Sequence, residues 1–118
     1  MENIFDIRTN NRRDAALTGE ILFESVHHSF PRASLKKEIH ATIQRRIREL
    51  HDIQWASFLV IFSPGQDPEE IRCQVDVETD GQRSAFAVGY GPEARLAFHD
   101  AGERMQWFEK NLPIKMII

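Results

Sequence analysis

The sequence predicts an α+β fold: an antiparallel meander sheet of about four strands, packed against an N-terminal helical pair and a short C-terminal helix. Three observations carry this expectation. A four-residue apolar repeat marks a long helix between Ser34 and Leu50. Runs of alternating apolar and polar residues follow it up to His99. A capping pattern at Asp100 and Glu103 then opens a last helix. The chain has 118 residues, of which 42% are hydrophobic and 28% charged, so it has the size and composition of one globular domain. That domain is expected to span 1–118, with flexibility confined to the first ten residues and to the loop from Ser63 to Pro68.

The elements follow in order. Residues Asp14 to Phe30 place Ala16, Leu17, Ile21, Val26 and Phe30 at spacings that suit a helix, although Gly19 weakens it. A strand from Glu20 to Val26 is the competing assignment, and Pro31 ends either one. Ser34 is a natural N-cap for the second helix. Leu35, Ile39, Ile43, Ile47 and Leu50 then form one apolar stripe, with Lys36, Lys37, His40, Arg45, Arg46 and Arg48 on the other faces. Ile53 to Phe62 is apolar on both alternating sets over its second half, which predicts a central strand covered at least partly on both sides. Ile71 to Thr79 alternates cleanly, with Ile71, Cys73, Val75 and Val77 on one face, as a half-exposed antiparallel strand does. Asp80-Gly81 is a tight-turn signal leading into a strand over Arg83 to Tyr90, with Phe86, Val88 and Tyr90 on one face.

The stretch after Pro92 admits two assignments. Ala94, Leu96 and Phe98 alternate as a strand ending near His99. A helix starting at Pro92 would instead line up Ala94, Ala97, Phe98, Ala101 and Met105. The strand is preferred, because Asp100 and Glu103 have capping-box spacing for a helix from Ala101 to Lys110 that Asn111 and Pro113 would end. The apolar tail Ile114 to Ile118 is expected to form a short strand or to pack on a partner.

Charge is unevenly spread. Residues 1–51 hold nine Lys/Arg against seven Asp/Glu, while residues 52–118 hold six against eleven. A single cysteine, Cys73, excludes an intramolecular disulfide and points to a reducing, cytoplasmic setting. The N-terminus lacks the apolar core of a secretory signal, and the run from Trp55 to Phe62 falls far short of the ~20 residues that span a bilayer.

No motif for catalysis or cofactor binding stands out, and no cofactor or metal is expected. His27, His28, His40 and His51 lack the spacing that would converge on one ion. Cys73 with His51 or His99 is the only nucleophile–base pairing to weigh, and its alternation places the thiol on a buried face. His99-Asp100 beside Glu93 and Glu103 is a second acid–base cluster, against which stands the capping role of Asp100. Asp67, Glu69 and Glu70 with Asp76, Glu78 and Asp80 match no calcium loop.

What remains is surface chemistry. Trp55, Phe86, Trp107 and the Ile-rich tail are many large apolar groups for one small core, and a short sheet leaves edges to be covered. Both point to a homodimer or to strand addition by a partner. The order of two helices and then strands, with Trp55 opening the first, resembles the architecture of the dynein light chains. That resemblance implies dimerisation and capture of peptides at a sheet edge. The favoured reading is a non-enzymatic protein-binding module, an adaptor, inhibitor or regulator, acting through a sheet edge and a basic helix face. Its binding residues would be Lys36, Lys37, Arg45, Arg46, Arg48 and Trp107. Nucleic-acid binding by the same helix is the alternative, and a small enzyme built on His51, Cys73 and His99 the second alternative.

Overall fold

The computed structural model describes residues 15–26, 32–50, 53–80 and 84–108. Along the chain run β1 (Ala16–Phe23), α1 (Arg32–Ile47), β2 (Trp55–Pro64), β3 (Ile71–Thr79), β4 (Ser84–Gly91) and α2 (Ala94–Arg104). The class is α+β, but the sheet is mixed. The strands lie in the order β1-β2-β3-β4. β1 pairs parallel with β2, Ala16 opposite Trp55, while β2–β3 and β3–β4 are antiparallel. A parallel pair cannot be joined by a tight turn, so the intervening chain must cross the sheet, and α1 is that crossover.

This corrects the first expected helix. Residues 16–23 form a strand because Leu17, Gly19, Ile21 and Phe23 alternate onto the inner side of the sheet, opposite Ala56, Phe58, Val60 and Phe62. Gly19 is there for a steric reason. A Cβ on it would lie 2.3 Å from the ring of Phe58, which fills the space that a side chain would take. The two-helices-then-strands order behind the likeness to dynein light chains is therefore absent among the described residues.

Helix α1 buries Leu35, Ile39, Ile43 and Ile47, as the apolar repeat predicts. Burial of such side chains is worth about 2 kcal/mol each, against less than ~1 kcal/mol for an exposed ion pair, so this stripe holds α1 down. Ser34 does not cap it. The helix begins at Arg32, whose guanidinium lies 4.5 Å from the centre of the Phe23 ring and ties the first turn to β1.

Beyond Gly91 the structure takes the helical alternative. Ala94, Ala97, Phe98 and Ala101 form the buried stripe of α2, which ends at Arg104 rather than starting at Ala101. The expected strand over 94–99 is overruled by close packing. A Cβ on Gly89 would sit 2.1 Å from the backbone nitrogen of Ala101, so helix and strand meet backbone to backbone where only glycine and alanine fit. Asp100 lies inside α2 and caps nothing there. Its Oδ2 accepts from the Tyr90 backbone N–H at 2.9 Å and from Arg104 Nε at 2.9 Å.

Both helices share one core with the same face of the sheet. The other face carries no helix among the described residues. β2 is central, as expected, but only its inner set is fully covered; Leu59 and Ile61 are half-buried on the outer side. The loop after β2 is tied by Gly65 N–H to the Glu70 carbonyl at 2.7 Å and by Glu70 N–H to Asp67 at 3.0 Å. Gly81 of the expected turn, the first ten residues and the tail from Ile114 lie outside the described residues.

Candidate functional site

The ridge of α1 that points away from the sheet is made by default: every fourth residue is buried, so the residues between must face solvent. From Arg32 to Arg48 the sequence has six lysines and arginines against the single acid Glu38. Lys36, Lys37, Arg45 and Arg48 are exposed, and Arg46 is half-buried. They do not form one cluster. Lys36 and His40 border β1, where the His40 ring meets Phe58 edge-on at 6.0 Å. Lys37 and Arg48 sit with His40 and Gln44 along the outer ridge, spanning about 16 Å at 1.5 Å per residue. Arg45 and Arg46 flank α2 and line a cleft of about 190 Å³ with Thr42, Phe98, His99 and Trp107.

Trp107 is fixed there by its indole N–H, which donates to the Gly102 carbonyl at 3.0 Å. The Arg46 guanidinium lies 5.2 Å from the centre of its ring. Arg46 and Trp107, two of the six residues singled out from sequence, are thus brought into direct contact. Lys36, Lys37 and Arg45 hold no ion pair among the described residues, so their charge is available to a partner.

One acidic residue between these cations went unnoticed in the sequence. Glu38 bridges the helices: Arg95 Nε donates to Oε1 at 3.1 Å, and His99 Nε2 donates to Oε2 at 2.8 Å. Burial alone would raise the Glu38 pKa, but the hydrogen bonds and charges of His99 and Arg95 outweigh it and hold the carboxyl below its usual range. The signal for this clasp is tertiary, because Glu38 and His99 lie 61 positions apart. Asp100 is also held low, first by the Tyr90 backbone N–H and then by Arg104.

These contacts dismantle the proposed reactive pairings. Cys73 is fully buried under the helices, and burial pushes its thiol up to about 12 against a small opposing effect of Arg72. His99 is exposed and committed to Glu38. Asp100 turns to the β4 backbone, so the His99-Asp100 neighbours face different partners. Among the described residues no three His, Cys, Asp or Glu side chains gather as a metal site. His27, His28 and His51 lie outside them. No helix among the described residues is long and apolar enough to cross a membrane.

The described residues form an α+β module with exposed cations along α1 and a sheet face that carries no helix. The sequence matches no protein-family model and no curated protein. Solved structures of similar shape do exist. The N-terminal domain of Protein Y from Thermus thermophilus superposes with a TM-score of 0.55 and 12% identity, over 77% of this chain and 89% of that one. A ribosomal subunit interface protein from Coxiella burnetii gives a TM-score of 0.49 and 11% identity, over 74% of this chain and 87% of that one. At such identity the likeness to Protein Y shows the fold alone.

Proposed function

We propose that this chain is a non-catalytic binding module that docks through α1 on the phosphate backbone of a structured nucleic acid. The observation that carries this reading is the run of exposed cations along one helix with no ion pair among the described residues: Lys36 on its flank toward β1, Lys37 on its outer ridge and Arg45 on its flank toward α2. Lysine and arginine displacing counterions supply most of the affinity in such contacts, and no base-reading pocket is needed. Arg46 and Arg48 extend the footprint, and Trp107 braces Arg46 at its α2 end. The net charge of −3 argues against non-specific adhesion and for contact through this ridge alone.

The other occupant of the ridge would be an acidic protein surface, with the outer edge of β1 as a neighbouring route for strand addition. A salt titration separates the two. Fluorescence anisotropy with a labelled RNA hairpin should show affinity falling linearly with log salt. The variant Lys36→Glu, Lys37→Glu, Arg45→Glu should flatten that slope by about 2 to 3 units and keep its melting temperature. No RNA binding at 50 mM salt, or unchanged binding by the variant, would overturn the reading. Binding of a poly-glutamate peptide without RNA binding would transfer the ridge to acidic proteins.

A further inference from the structure

We infer that the face of the sheet left uncovered among the described residues is a second docking site, and that its occupant is a cationic amphipathic segment of a partner protein. The register shows what the face displays. Leu22, Ile61, Gln74 and Val88 form one row across all four strands; Glu20, Leu59, Asp76 and Phe86 form the next. Phe86 is 57% exposed and Trp55 49%, with Leu22 and Tyr90 at 39% each. Large apolar groups gathered on one open face mark an interaction surface more often than a chance of composition.

Charge selects the occupant. Exposed aromatics on a sheet are also the platform on which single-stranded nucleic acids stack their bases. Here, however, Glu20, Asp76 and Glu78 share the face with Arg72, its only cation among the described residues, and Asp76 stands directly across from both Leu59 and Phe86. None of the three carboxylates has an ion pair among the described residues. A phosphate beside Phe86, the most exposed of these aromatics, would meet the uncompensated carboxylate of Asp76 directly across from it, whereas Tyr90 stands across from Arg72. A helical segment with leucine-like residues on one side and lysine or arginine flanking them meets both needs: it covers the apolar rows and pairs the carboxylates. Four strands at about 4.8 Å spacing and eight residues at about 3.3 Å give a face of about 19 by 26 Å. That accepts one helix of about 17 residues laid along the strands.

The test uses the full chain and two labelled 18-residue amphipathic helical peptides, one of leucine and lysine, the other of leucine and glutamate. The lysine peptide should bind and the glutamate peptide should not. Phe86→Gln should weaken binding at least about tenfold. Asp76→Lys with Glu78→Lys should reverse the preference. The α1 variant Lys36→Glu, Lys37→Glu, Arg45→Glu should leave lysine-peptide binding unchanged, so failure here and failure of the nucleic-acid reading are seen separately. Equal binding of both peptides, binding of neither, or insensitivity to Asp76→Lys/Glu78→Lys would overturn the inference. So would a dimer in sedimentation that Phe86→Gln dissolves, since the face would then belong to a second copy.

Discussion

Gly89, on β4 beneath α2, and Gly102, within α2, have opposite demands. At Gly89 a Cβ would overlap the backbone of Ala97 and Ala101; at Gly102 nothing stands within 4 Å. Gly89→Ala must therefore push α2 off β4 and should cost about 2–3 kcal/mol, read as a lowered urea midpoint. Gly102→Ala should raise the midpoint by up to ~1 kcal/mol, because it removes unfolded-chain freedom inside a helix without a clash. Cys73 gives a chemical readout of the same core. With its thiol held neutral by burial, it should stay unmodified by Ellman's reagent in the folded protein and react only as the chain unfolds. Its burial was legible from the alternation of Ile71, Cys73, Val75 and Val77. The fit of Gly19 under Phe58 was not, because it depends on which strand lies beside β2.

Elements differ in how much of their placement the sequence carries. α1 is written into four aliphatic residues at helical spacing; a strand would bury the same four only by turning Lys37 and Arg45 onto their face. α2 lacks that signature: its buried stripe is mostly alanine, weakly apolar and equally readable as strand alternation. What decides for the helix is the pair Gly89 and Gly91 on the preceding strand, which lets a small-residue helix approach. The clasp joining the two helices was likewise hidden, because it links residues distant in sequence. Its carboxylate makes a pH prediction. Glu38 has a folded pKa below its ordinary value of 4.5, so it stabilises the fold above that pH. That contribution is lost as pH falls through the lower folded value. Asp100 acts in the same direction from its ordinary value of 3.8. The melting temperature should therefore drop as pH falls below about 4.5, and Glu38→Gln should reduce the drop while lowering stability at pH 7.

At the scale of the whole molecule, the two faces have opposite character. Cations collect on the helical layer through α1, whereas the outer sheet face is apolar and acidic. The charge asymmetry along the chain foreshadowed this, because α1 lies in the basic first half and β3 and β4 in the acidic second half. Which strand faces would be left open was not legible. Phe86, Val88 and Tyr90 share a side in any assignment, and only the placement of both helices on the opposite side exposes them. The mixed sheet also sets an order of assembly. β2, β3, β4 and α2 are neighbours in sequence and close short loops, but β1 has its partner about 40 residues downstream, Ala16 opposite Trp55. On the ribosome β1 would wait, unpaired, until β2 has left the exit tunnel, and it should be the last strand to dock and the first to detach. In hydrogen exchange its amides should open ahead of those in β3, making the first strand synthesised the least guarded part of the native sheet.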